Sequence, residues 1–127
     1  MINLKPGNMK KLISPTAHAV MDYLVGGIFM MVPSTLGLNH RAVSGYKKLG
    51  TGIIALNALT DTPVALKKIV TLNVHKANDA ALLNGFMLAT FSDEVKNDRR
   101  TLAFHVGMLA LLSMQYAMTN YEHSLRN

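Results

Sequence analysis

The chain has 127 residues, enough for one domain around one core, and 50% of them are apolar while only 16% are charged, against roughly 25% in an average soluble domain. That composition excludes a disordered chain, and the absence of Cys excludes a disulfide framework and any Cys-ligated zinc or iron-sulfur centre. The 13 basic residues outnumber the 7 acidic ones, yet they are scattered as Lys10-Lys11, Lys47-Lys48, Lys67-Lys68 and Arg99-Arg100, each pair beside an apolar run, which is the pattern of bilayer helices at headgroup level and not of a nucleic-acid surface.

The first 13 residues are polar and basic. Ser14-Pro15 then supplies an N-cap followed by proline at the first helical position, and a helix is expected over 15–33, running from Thr16, Ala17 and His18 through an apolar stretch to a stop at Pro33. No A-x-A-like cleavage site follows Pro33, so the helix is expected to be retained rather than removed as a secretory signal. Asn39 is placed to cap a second helix over 41–60. Its glycines, Gly45, Gly50 and Gly52, weaken a helix in water but suit close helix packing in a membrane. Asp61-Thr62-Pro63 ends it, and a short amphipathic helix over 63–70 carrying Lys67 and Lys68 is expected to lie along the interface.

A third helix is expected over 73–91, polar in its first two turns and apolar afterwards. Ser92 to Arg100 reads as a charged loop, and Asp98 can cap a fourth helix over 99–120. No segment reaches 18 uninterrupted apolar residues, and the mean hydropathy of +0.21 is low for a membrane protein, so a soluble four-helix bundle is the competing architecture. Against it, neither 49–60, the interfacial 61–70 aside, nor 101–120 contains Asp, Glu, Lys or Arg, and thus neither has the charged stripe a water-facing helix carries, although Thr101 follows two arginines.

The two halves resemble each other. At an offset of 57 residues Lys11, His18, Asp22, Phe29 and Met30 overlie Lys68, His75, Asp79, Phe86 and Met87, so that both halves carry His-x3-Asp followed seven residues later by Phe-Met. At an offset of 55, Gly52, Ala55 and Ala58 overlie Gly107, Ala110 and Ser113, and these small residues are expected to form ridges against which another helix packs. The fold class that follows is all-α, a four-helix transmembrane bundle built from two repeated helical hairpins, a single domain over 1–127, with the first and third helices parallel.

Ile13-Ser14-Pro15-Thr16-Ala17-His18 with Asp22-Tyr23-Leu24-Val25-Gly26, then Val32-Pro33-Ser34-Thr35-Leu36-Gly37, Leu59-Thr60-Asp61-Thr62-Pro63, and Val74-His75 with Asp79 resemble the small bacterial membrane proteins of the SPW-repeat type. The similarity covers about residues 13 to 118. The family's naming Ser-Pro-Trp is degenerate here: Pro33 is followed by Ser34, and the chain has no Trp. The resemblance implies residence in the cell (inner) membrane as a multi-pass protein and implies no chemistry.

His and Asp four apart share a helix face, and two such pairs on parallel helices would sit at one depth. His18, Asp22, His75 and Asp79 are therefore expected to converge, with Asp61 within reach and Gln115, Tyr116 and Asn120 approaching from the end of the last helix, while His105 belongs to the opposite side. Imidazole and carboxylate are competent ligands for Zn, Fe, Mn or Ni and plausible proton carriers, but the same pairs serve equally as hydrogen-bonded anchors near the headgroups. No phosphate loop, nucleophile-base arrangement or H-E-x-x-H motif is present. The sequence thus points to a non-enzymatic structural or stress-related membrane component without a cofactor, with the lipid bilayer as its surroundings and a second copy or another membrane protein as a conceivable partner. Two rivals stand beside it: a metal- or proton-handling, redox or transport subunit using a divalent metal ion at the His/Asp cluster, and a soluble four-helix bundle that binds metal.

Overall fold

The structure is a computed structural model that describes residues 11–121; Lys10 of the first basic pair lies outside the described residues. It is all-α, with four long helices, α1 (Pro15–Thr35), α2 (His40–Leu59), α3 (Leu72–Ala89) and α5 (Arg99–Met118), and a single helical turn, α4 (Asp93–Lys96), before α5. The caps follow the local chemistry. Ser14 accepts from the Ala17 N–H with Pro15 at the first helical position, Asn39 accepts from Arg41 and Ala42, Thr71 from Val74, and Asp98 from Arg100.

The stop of α1 is not Pro33. The helix continues to Thr35 and ends on Gly37, whose φ of 65° lets the Leu38 N–H reach back to the Pro33 carbonyl and the Gly37 N–H to the Ser34 carbonyl. A proline this near the helix end gives up its own donor and crowds the carbonyl one turn back without stopping the last two residues, and Pro33 is buried, so it packs as a core residue. Segment 63–70 is also not a helix. It is a run of turns folded back on the end of α2, with the Leu66 and Lys67 N–H groups on the Ala58 carbonyl and those of Ile69 and Val70 on the Leu59 carbonyl. Pro63 and its turn-forming neighbours outweigh the amphipathic pattern there. Conversely, the charged segment expected as a loop contains α4, with Val95 buried.

The two halves close alike in the backbone. Ile13 donates to the Met118 carbonyl and accepts from the Asn120 N–H at the end of α5; Val70 donates to the Leu59 carbonyl and accepts from the Asp61 N–H at the end of α2. Ile13 and Val70 are 57 residues apart, whereas Leu59 and Met118 are 59 apart. The second pair of helices is thus related by 59 and not 55 residues, and the buried residues agree: Ala42, Tyr46, Ile53 and Thr60 in one half, Thr101, His105, Leu112 and Thr119 in the other. A slip of four residues is about one helical turn, which leaves a periodicity argument nearly unchanged.

Of the expected small-residue ridges, Gly52, Ala55, Gly107 and Ala110 face outward, while Ala58 is buried and Ser113 partly so. Gly52 and Gly107 are exposed, with nothing within 4 Å of where a Cβ would stand. Close packing occurs at Gly26 and Gly50 instead, where α1 meets α2. A Cβ on Gly50 would lie 2.5 Å from the Gly26 carbonyl oxygen, and one on Gly26 the same distance from Ile54 Cγ1. Below this contact the core is aromatic, with Phe29 against Tyr46, Phe86 and Phe104 at ring-centroid distances of 5.6, 5.6 and 6.0 Å. Two helices, α1 and α5, are long and apolar enough to cross a membrane.

Candidate metal centre

The site lies at the end of the molecule where α1 and α3 begin and α2 and α5 finish. His18 and Asp22 sit one turn apart on α1, His75 and Asp79 one turn apart on α3, and all four side chains turn inward. The two imidazole rings stand 5.5 Å apart, nearly perpendicular. His18 Nε2 lies 3.2 Å from Asp22 Oδ2 and 3.1 Å from Asp79 Oδ2, and His75 Nε2 lies 3.0 and 3.3 Å from the same two oxygens. One ligand atom from each residue is within 4.8 Å of all the others. Four ligands at 2.0 to 2.1 Å from a tetrahedral ion are separated by about 3.3 Å, so the four nitrogen-oxygen distances are close to the edges of such a coordination sphere.

Outer contacts decide which ring nitrogens face inward. Thr119, at the C-terminal end of α5, donates its hydroxyl hydrogen to the Gln115 carbonyl at 2.5 Å, and its oxygen lies 2.7 Å from His18 Nδ1. The hydroxyl has one hydrogen, already given to that carbonyl, so this contact calls for Nδ1 to donate, and it is much shorter than the 3.4 Å from the Gln115 amide nitrogen, which would need Nδ1 as an acceptor. Thr60, at the end of α2, does the same for His75: its hydroxyl donates to the Leu56 carbonyl and accepts from His75 Nδ1, each at 2.7 Å. Both histidines are held with Nε2 toward the centre, as metal-ligating imidazoles are held by an outer acceptor.

The carboxylates are oriented too. Gln115 donates to Asp22 Oδ1 at 2.7 Å, and the Tyr121 hydroxyl donates to Asp79 Oδ2 at 2.8 Å. Burial, with the Asp79 carboxylate beside it, pushes the Tyr121 phenol above its ordinary value and keeps it a donor. His18, Asp22 and His75 are only 5%, 6% and 3% exposed, so two carboxylates in this setting require two compensating positive charges within the cluster. Notably, His18 Nε2 has no hydrogen-bond partner although two carboxylate oxygens are near it: neither is in line with the nitrogen.

Comparison with protein-family models, with curated proteins and with solved structures gives no match.

The centre's chemistry therefore rests on its own residues. Asp61 is exposed and stands outside the group of four; its neighbour Thr60 faces inward in its place. Gln115 reaches the centre, Tyr116 lines a cavity beside it, and Asn120 contributes its backbone N–H to Ile13. Thr60, Thr119 and Tyr121 were not among the residues expected at the site from the sequence. The 59-residue register would have paired the two threonines, and Tyr121 carries no sequence signal.

His105 is in the opposite half. Its Nε2 donates to the Phe86 carbonyl at 2.8 Å and its Nδ1 accepts from the Tyr46 hydroxyl at 2.7 Å, with the ring stacked on Phe86 at 3.8 Å. Phe86 is in the last turn of α3, where carbonyls lack helical partners, so His105 is a structural link between α2, α3 and α5.

Proposed function

We propose that this chain is a small multi-pass protein of the inner membrane, of the SPW-repeat kind, whose four long helices cross the bilayer and whose His18, Asp22, His75 and Asp79 hold one divalent transition-metal ion. Membrane residence is supported by the outward side chains. Leu24, Met31, Leu88, Phe91 and Met114 are each at least 60% exposed, and from Thr101 onward α5 carries no charged residue while little of its apolar surface is buried. In water that surface is a liability; in lipid it is the solvated side.

The observation that carries the metal reading is His18 Nε2, buried 3.1 and 3.2 Å from two carboxylate oxygens without an in-line hydrogen bond to either, while its Nδ1 hydrogen is taken by Thr119. Two nitrogens and two carboxylate oxygens, with no sulfur, suit Zn, Fe(II), Mn or Ni, whereas Ca and Mg prefer six or more oxygens or several waters. The two aspartates balance the ion's charge, as burial demands. The second reading is a hydrogen-bonded anchor in which two protons supply the same charge. The 3.0 Å hydrogen bond between His75 Nε2 and Asp22 Oδ2 favours it, and in that case the protein is a structural membrane component.

Metal analysis of detergent-purified protein separates the two. One divalent ion per chain is expected, lost in the His18→Gln, His75→Gln double variant. A folded parent that carries no metal and takes up none of added iron, manganese or zinc would leave the anchor.

A further inference from the structure

Beside the four ligands lies a cavity of about 30 Å³, lined by His18, Asp22, His75 and Asp79 together with five aliphatic side chains, Leu83 and Leu112 among them, and four neutral polar ones, Gln115 and Tyr121 among them. A water needs roughly 10 to 15 Å³ measured this way, so there is room for about two waters or one diatomic molecule. Resting on the metal reading above, we infer that the centre is an open one: the four side chains leave a coordination position facing this cavity, and the ligand that enters is small and uncharged.

The geometry gives three reasons. A purely structural ion is enclosed by its ligands, whereas here ligand-lined space continues past them. Apart from the four ligands the lining holds no charged side chain, so it contributes shape and neutral polar groups and no charge. The two aspartates already neutralise a divalent ion, so a charged ligand would leave a net charge in a space whose remaining lining offers no countercharge, while water or a diatomic gas would not. Gln115 and Tyr121 meanwhile occupy carboxylate lone pairs, which keeps Asp22 and Asp79 from swinging into the cavity to close the position.

The test uses detergent-purified full-length protein loaded anaerobically with ferrous iron, then exposed to nitric oxide as an uncharged diatomic probe. An iron-nitrosyl signal by electron paramagnetic resonance is expected at one per bound iron. Leu83→Phe, which enlarges one of the aliphatic side chains lining the cavity, should lower nitric oxide affinity by at least about tenfold at unchanged iron stoichiometry. Should that variant fail to load iron, Leu83→Ala carries the test: it should retain the nitrosyl and admit a larger neutral ligand, imidazole, which the parent excludes. Stoichiometric iron without a nitrosyl signal, or a signal indifferent to both Leu83 variants, overturns the open centre and leaves the metal site standing. Failure of the folded parent to bind iron removes both together.

Discussion

The Thr119 hydroxyl and His18 Nδ1, 101 residues apart in sequence, are 2.7 Å apart, and the same relationship recurs between Thr60 and His75. Each threonine caps a helix that belongs to the hairpin of one histidine or closes the chain onto it, so the end of one helix fixes the tautomer of a ring on another. The hydroxyls serve helix termination and site geometry at once: they take an orphan carbonyl and offer an acceptor to Nδ1.

Replacing either threonine should therefore weaken metal binding without unfolding the protein. Thr119→Val and Thr60→Val keep shape but lose the acceptor, and each is expected to lower affinity by about 10- to 100-fold. The Thr→Ser changes should restore most of it. Competition titration against a chromophoric chelator reads the difference; equal affinities for the Val and Ser variants would mean that the hydroxyls do not orient the rings.

Metal removal should destabilise the protein, and acid should do the same by another route. A ligand that binds the folded state alone stabilises it by about 2.7 kcal/mol at a hundredfold excess over its Kd. Chelator should thus lower the melting temperature of the parent in detergent and leave His18→Gln, His75→Gln unmoved. Because protons compete for imidazole nitrogen and carboxylate oxygen, affinity should fall as pH is lowered and recover as it is raised. A melting temperature insensitive to chelator at every pH tested would count against a bound ion.

The glycines make a sharp structural test because sequence and structure assign them differently. Gly50→Ala and Gly26→Ala place a methyl group against backbone or Ile54 and should cost about 1 to 3 kcal/mol. Gly52→Ala and Gly107→Ala meet open space and should be neutral or slightly stabilising, since alanine is the better helix former. Denaturation in detergent would measure both pairs, and a reversal of the order would restore the outward ridges as packing surfaces.

Much of this architecture was legible in the chain. Caps at Ser14, Asn39 and Asp98 are local chemistry, and they begin three helices within a residue of where expected. His-x3-Asp repeated at 57 residues is a spacing that survives folding, because both copies start their helices alike, and the four side chains meet. Other features were not legible, for definite reasons. Pro33 is a breaker by type, but the αL turn at Gly37 determines where α1 stops. The register of α2 against α5 was misread by about a turn, since helical periodicity scarcely distinguishes a four-residue slip. Asp61 was chosen for its charge, yet the cap geometry at the end of α2 turns Thr60 inward and leaves Asp61 in solvent.

Spanning by all four long helices has the most direct test, because the chain contains no Cys and single cysteines can be introduced without background. Among the described residues, only α1 and α5 meet the length and hydropathy of a membrane span unaided. The open question is thus whether α2 and α3 cross as well. Their 20 and 18 residues correspond to about 30 and 27 Å of helix, close to the hydrocarbon thickness. Leu66 is 88% exposed in the turn between α2 and α3, and Asn97 is exposed between α4 and α5. If four helices cross, Leu66→Cys and Asn97→Cys face opposite sides, and a membrane-impermeant maleimide added to intact cells should label one and spare the other until the cells are opened. If only α1 and α5 cross, the chain between them stays on one side and the two cysteines label together. Labelling of neither until lysis, with the protein then in the soluble fraction, would return the chain to a bundle in water, where the apolar face of α5 would need a protein partner to cover it.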